Sequence, residues 1–332
     1  MEEHGRVRIC DIAQELGVST ATVSNVLHGK TKKVSDETVR RVQRALEQWQ
    51  YIPSMAGILL AQNASRIIGV VVHDHEKYEG RVLEDVFVAT SLNHLSNEIE
   101  AEGRFMMVKK TRDTEDIIKF ASMWNLDGLV LLGFCEQDYL YLRSHMRIPF
   151  VVYDGFCDDT EGICNITIHN YDGGLQVGKY FRSCGHSRAL CIADNEICMD
   201  KERWEGFRDG FGPGAEFLRI PMHKQERMAF YEEHLEQLRQ FSAVFAVSDF
   251  YAVELIHFLQ EREILVPRDI SVAGFDDTPM CRMVFPALTS VRQDVALRAR
   301  ISMEQLRALR TGEETVNAVT LPVELVIRDS TK

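Results

Sequence analysis

From Ile67 onward, short apolar runs alternate with amphipathic stretches, and few architectures satisfy that order. The runs IIGVVV, FMMVKK, GLVLLG and PFVVYD are separated by helical spacing near Phe87 to Glu102 and Thr114 to Trp124. A second set follows with RALCIAD, a strand-like stretch near Phe217 to Ile220, AVFAVSD and ISVAGFDD. Helical patterns near Trp204 to Gly210 and Tyr251 to Glu261 interrupt it. Such alternation predicts parallel α/β sheets. Two sets predict two sheet domains with a cleft between them, the chain crossing near Asn165 and again near Pro286. Ligands of open α/β sheets bind outside the carboxyl ends of the strands, so the cleft is the expected binding place.

The chain's 332 residues suit one small domain ahead of this divided body. Ile9, Ile12, Ala13 and Leu16 recur at helical spacing, and Gly17 stops the helix. Ser19 can cap a second helix whose Val23, Val26 and Leu27 face inward, leaving Thr20, Ala21, Ser24 and Asn25 outward. Two short helices across a tight turn make a helix-turn-helix, although any small helical bundle shares the pattern. In the first reading the second helix enters a DNA major groove, where its small side chains permit close approach and Asn25 can pair bidentately with adenine. Val34-Ser35-Asp36-Glu37 opens a third helix, with Ser35 as cap and acids in the first turn.

A net charge of -12, if evenly spread, would argue against nucleic acid. The first 62 residues instead carry eight Lys and Arg against seven acids, with cations gathered at Lys30 to Lys33 and at Arg40, Arg41 and Arg44. The N-terminus has no apolar run after a basic region, and no stretch of about eighteen uncharged apolar residues occurs. Secretion and membrane insertion are therefore not expected. Eight scattered Cys without a CxxC pair predict reduced thiols and a cytoplasmic protein.

Tyr51-Ile52-Pro53 is expected to end the third helix, after which Ser54 can cap a short helix from Met55 to Leu60. Gly57 weakens that helix by roughly 1 kcal/mol relative to Ala, and six residues cannot bury Met55, Ile58, Leu59 and Leu60 alone. It should need a partner to form.

DIAQELGVSTATVSNVLHG followed by VSDETVRRVQRALEQWQYIPS resembles the DNA-binding module of the LacI/GalR (lactose repressor) family. GVVVHD, DGLVLLG, NYDGGLQVGKYFRSCGH, DKERWEGFRDGF, AVFAVSDFYAVE, VPRDISVAGFDDT, PALTSVRQD and LPVELVIRDST resemble that family's core in order and spacing. The resemblance implies an all-α helix-turn-helix domain (1–53), a hinge helix and linker (54–65), and a periplasmic-binding-protein-like core of two parallel-sheet subdomains (66–332). The first subdomain is expected at 66–164 with 287–294, the second at 165–286 with 295–332. It also implies a homodimeric repressor of carbohydrate-utilisation genes that binds near-palindromic double-stranded operator DNA and responds to a sugar-like effector, without a cofactor or a membrane.

Position by position, the resemblance assigns Thr20, Ala21 and Asn25 to base reading and Ser19, Thr22, Ser24 and His28 to Lys30 to the DNA backbone, with Thr38 and Arg41 reaching phosphates. Leu60 takes the minor-groove wedge. Asp154, Arg203, Asp249 and Asp276 become effector contacts, with Trp204, Asp74 and Phe87 as lining. Arg and Asp hydrogen-bond vicinal hydroxyls, while an aromatic face packs on a sugar's apolar side. The chain departs from the family pattern at Asn25, where many relatives carry Arg or His, and at Ser54, Gly57 and Ile58 in the hinge. It departs again at His169, where Asp is usual, and at a lengthened segment from Glu76 to Leu83 beside the cleft mouth. These leave a larger or non-sugar ligand, a corepressor, or a protein partner as alternatives.

Enzyme and metal readings are weaker. The adjacent carboxylates Asp276-Asp277 and Asp158-Asp159 point to opposite faces if extended. His73-Asp74-His75 has no further ligand nearby to complete a metal shell, and Cys184, Cys191 and Cys198 do not converge. No phosphate-cradling GxxxxGK[ST] occurs. An exported solute-binding protein would share the core but would carry an export signal and no helix-turn-helix.

Overall fold

The computed structural model describes residues 7–51, 65–157 and 162–332, and divides into Met1–Ser65 and Arg66–Lys332. In the first unit, α1 (Ile9–Leu16), α2 (Thr20–Leu27) and α3 (Asp36–Gln48) close around Ile12, Ala13, Val23, Val26, Val42 and Ala45. Gly17 ends α1 at φ 64°, a left-handed conformation that a side chain would strain. Ser19 Oγ accepts from the Thr22 amide at 3.1 Å and Ser35 Oγ from the Thr38 amide at 3.3 Å, so both expected caps form. The Arg41 guanidinium donates to the Leu16 carbonyl at 2.9 Å, meeting an orphan acceptor at the end of α1. Helix α3 also ends before Pro53, because Gln50 turns left-handed at φ 47° and the Tyr51 amide returns to Leu46. The expected hinge helix, Leu60 included, lies outside the described residues.

The second unit holds two six-stranded sheets. The first takes β1 (Ile67–His73), β2 (Phe105–Thr111), β3 (Gly128–Leu132), β4 (Phe150–Tyr153), β5 (Cys164–Ile168) and β11 (Ala318–Leu321), ordered β11-β5-β4-β3-β1-β2 and parallel throughout. The second takes β6 (Ala189–Ala193), β7 (Ala215–Arg219), β8 (Ala243–Ala246), β9 (Ser271–Asp276), β10 (Thr289–Gln293) and β12 (Val323–Val326), ordered β12-β10-β9-β8-β6-β7, with only β12 antiparallel. Between strands lie α4 (Val86–Ala101), α5 (Thr114–Met123), α6 (Glu136–His145), α7 (Asn170–Ser183), α8 (Cys198–Phe211), α9 (Lys224–Glu233), α10 (Leu235–Leu238), α11 (Asp249–Gln260) and α12 (Val295–Thr311).

The subdomain division differs from the expected one. Strand β10 pairs with β9, which places 289–293 in the second sheet rather than the first. Helix α12 packs on α4 and β4 in the first subdomain. The chain therefore passes between sheets after β5, after β10 and between β11 and β12. Close approach of α7 to α8 fixes the second subdomain's inner wall. A Cβ on Gly174 would lie 1.9 Å from the Arg203 carbonyl oxygen, and one on Gly206 would lie 1.9 Å from that of Tyr171, so neither position admits a side chain. All eight cysteines are free thiols, and among the described residues no helix is long and apolar enough to cross a membrane.

Candidate functional site

Helix α2 meets the helical core through Val23 and Val26, which turns its other face to solvent. Ser19, Thr20, Ala21, Asn25 and Lys30 are exposed, while Thr22, Ser24 and His28 are half-buried. Ser19 and Thr22 share a hydroxyl hydrogen bond of 2.9 Å at the helix start. Two of the expected base-reading positions, Thr20 and Ala21, thus open α2, the end that a recognition helix brings closest to base edges, and Asn25 follows one turn on.

In the core, the strand ends collect buried charge. Asp154 follows β4 with φ 60°, and Asp276 closes β9 with φ 115°, both left-handed conformations that a side chain adopts at a cost. Asp276 accepts from Gln293 Nε2 at 2.6 Å. Burial drives its carboxyl well above the usual range, against the pull of Arg203, and the carboxylates of Asp249, Asp154 and Asp85 push the same way as burial. Asp154 and Asp85 belong to the first subdomain, so the two walls share one electrostatic environment. Its neighbour Asp277 turns away to Arg292, at 2.8 Å, and to Arg328, so the adjacent carboxylates do not form an acid-base pair.

Arg203 on α8 is buried, with Nε donating to Asn170 Oδ1 at 2.9 Å and Nη1 to the Val247 carbonyl at 2.7 Å. Its guanidinium lies 3.8 Å from the Phe275 ring centroid, a stacked cation. Asp249 is buried too, but both its oxygens serve the fold: Oδ2 accepts from the Thr278 amide at 2.7 Å and Oδ1 from Ser290 Oγ at 2.5 Å. Burial pushes its carboxyl up to about 6, and those bonds partly offset the push.

The three expected lining residues make contacts of their own. The Trp204 ring packs on Phe207 and Phe217, at 6.2 and 5.4 Å, on the core side of α8. The Asp74 carboxylate lies 3.6 Å from Lys110 Nζ at the end of β1, and Phe87 packs on the core from the first turn of α4. His169 pairs with Asp172 at 3.8 Å in the first turn of α7. His73 packs edge-on against Phe134, and burial lowers both His73 and His75, favouring neutral rings.

The sequence reading missed Arg298, Gln293 and Lys77. Arg298 on α12 is fully buried, with Nη1 2.9 Å from Asp154 and its guanidinium 5.2 Å from the Tyr153 ring centroid. Its Nε and Nη2 have no hydrogen-bond partner, nor does Gln293 Oε1. Buried donors and acceptors in that condition are rare in folded proteins and call for a partner such as water, an ion or a ligand. Arg298 lies on the face of α12 that Ser302 and Leu306 also bury, one and two turns on, and only its charge argued for solvent.

With this geometry in hand, comparison with known proteins is direct. Residues 8–54 match the model of bacterial regulatory proteins of the lacI family, and residues 179–331 match a periplasmic binding protein-like domain. The chain is 27% identical to the HTH-type transcriptional repressor PurR of Haemophilus influenzae, over 98% of each chain. Among solved structures it is similar to the Lac repressor dimer bound to operator and the anti-inducer ONPF, with TM-score 0.82 and 22% identity over 98% of this chain and 99% of that one. It is also similar to the cellobiose complex of the transcriptional regulator CelR, with TM-score 0.70 and 23% identity over 98% and 100%. Both structural likenesses concern the fold.

Proposed function

The chain belongs to the lacI family of bacterial regulatory proteins, and from that premise we propose that it is a transcriptional repressor switched by a small polyhydroxylated ligand in its cleft. A dimer lays two α2 helices into half-sites of a near-palindromic operator, with Thr20, Ala21 and Asn25 toward the bases and Ser19, Thr22, Ser24, His28 and Lys30 toward the phosphates. Leu60 wedges the operator centre from the hinge. The chain supplies DNA recognition and ligand binding, and no catalytic role is assigned to it.

One observation carries the ligand reading: Arg298 and Gln293 are buried with unmet hydrogen-bonding capacity beside Asp154 and Asp276. A sugar or sugar derivative offers hydroxyls that both donate and accept, which suits an opposed set of carboxylates and guanidinium groups. Arg203 and Asp276 are the assigned contacts on the second subdomain, and Asp154 with Arg298 on the first. Asp249 is assigned to hold the β9 and β10 ends in place. Ligand bound between the walls favours one spacing of the two subdomains, and an effector shifts operator affinity only as far as it binds one spacing better than the other.

The test begins with operator fragments selected from randomised DNA by the wild-type protein. Binding is then measured while mono- and disaccharides are added. Release indicates induction, tightening indicates corepression, and indifference to every sugar overturns the sugar reading in favour of another ligand or a protein partner.

A further inference from the structure

The lengthened segment after β1 does more than widen the cleft mouth. It is anchored to its own subdomain by Arg112, which donates to the Asp74 carbonyl, and by Lys110, which donates to that of Gly80. His75 Nδ1 accepts from the Lys77 amide at 3.3 Å and opens the short 3-10 turn Glu76–Tyr78. Glu79 and Gly80 then both turn left-handed, at φ 51° and 79°, before a second 3-10 turn, Val82–Glu84, leads to Asp85, the cap of α4.

From that bend the segment reaches the opposite subdomain. Glu79 Oε1 accepts from the Lys224 amide at 3.3 Å and lies 3.6 Å from His223 Nδ1. Lys224 is the first residue of α9, whose start has no side-chain cap of its own, so the carboxylate meets an orphan amide at the positive end of a ten-residue helix. That bond, followed by Arg81 and His223, holds the Glu79 carboxyl below its usual range. Lys77, whose ammonium lies 5.1 Å from the Tyr78 ring centroid, adds a longer-range attraction: Tyr78 first, then Tyr251, Asp194 and Asp200 of the second subdomain, hold it well above its usual range against the cost of burial. Asn195 Nδ2 ties those two acids together, at 2.7 Å to Asp194 and 2.8 Å to Asp200.

We propose that Glu76–Glu84 is a strap that fastens the cleft closed from one subdomain to the other, with the Glu79 bond to the start of α9 and the charge of Lys77 as its fasteners. The proposal rests on the reading of the cleft as the ligand site. It adds that the chain carries its own closure, which a ligand entering toward Arg203 and Asp276 has to release or reinforce. The Glu79 link is a solvent-facing one, weak enough to open reversibly.

Hydrogen-deuterium exchange on the full chain tests this, with Glu79→Ala, Lys77→Met and, as control, Arg81→Ala, which removes a partner of Glu79 within the strap alone. Peptides covering 74–84 and 222–230 are expected to exchange several-fold faster in Glu79→Ala and in Lys77→Met, and near the wild-type rate at 222–230 in Arg81→Ala. Unchanged circular dichroism confirms folding. Wild-type exchange at 222–230 in both fastener variants overturns the strap. Binding of the selected operator by the same variants reports separately on regulation: faster exchange with unaltered DNA affinity upholds the strap and overturns the link from cleft to DNA.

Discussion

Helix α2 and the core's buried charged cluster both carry side chains proposed to bind, but they hold them in opposite ways. Thr20, Ala21 and Asn25 stand in solvent on a helix secured from behind by Val23 and Val26. Asp154, Arg203, Asp249 and Arg298 are buried and engage one another or the backbone. On the head, function and stability therefore separate, and a side chain can be removed without disturbing its neighbours. In the cleft they do not separate, since each charged group answers a buried neighbour and its loss leaves a desolvated partner.

The largest effect expected from this contrast is at Arg298. Arg298→Met leaves Asp154 buried without its cation, and urea unfolding should report a loss of about 3–5 kcal/mol. Adding Asp154→Leu should restore most of that loss, because an apolar pair of similar volume replaces a buried ion pair at little cost. A double variant as unstable as the single one would mean that Arg298 stabilises the core by something other than this pairing.

Arg203→Ala comes next. It removes hydrogen bonds to Asn170 and the Val247 carbonyl and uncovers Phe275, at an expected cost of about 2–4 kcal/mol. Operator binding should survive at low temperature while the response to ligand is lost. Retained ligand affinity in calorimetry would remove Arg203 from the site.

Asn25→Ala should separate function from stability on the head. Affinity for the selected operator is expected to fall by about 1–3 kcal/mol, with the salt dependence of binding unchanged because no phosphate contact is lost. The melting temperature should stay near wild type, since Asn25 is exposed. A uniform loss of affinity on all DNA sequences would reassign Asn25 to the backbone.

The same contrast explains what could be read from the chain alone. Helix α2 was legible because a capping Ser19 and inward Val23 and Val26 fix its outward face locally. The strands were legible as apolar runs. Which sheet β10 joins was not, because that depends on pairing with β9 and on α12 packing against α4 and β4, long-range choices with no local signature. The contacts of Trp204 were hidden for a related reason: glycines let α7 approach α8 closely, and the indole packs beside Phe207 and Phe217. Arg298 and Lys77 read as ordinary surface cations until partners distant in sequence enclose them.

The smallest effect is the most specific to the buried cleft. In the folded protein Asp249 titrates near 6, raised by burial against the hydrogen bonds of Ser290, Thr278 and Cys281, whereas an unfolded aspartate titrates near 3.8. Between those values the folded state holds a proton that the unfolded chain has released. The stability this confers is present in full below the unfolded value and is lost as pH rises through about 6. Asp200, also near 6, and Asp276, driven by burial well above the usual range, act in the same direction, while Asp269, lowered by Arg268, acts in the other. Comparing a variant with wild type removes those shared contributions. Asp249→Asn keeps an oxygen for the Thr278 amide, so it should fold, and urea unfolding at pH 5 and pH 7 should show a pH-dependent loss smaller than wild type by about 1 kcal/mol. An unchanged pH dependence would mean that Asp249 stays ionised across this range, its burial fully offset by the hydroxyl and amide that hold it.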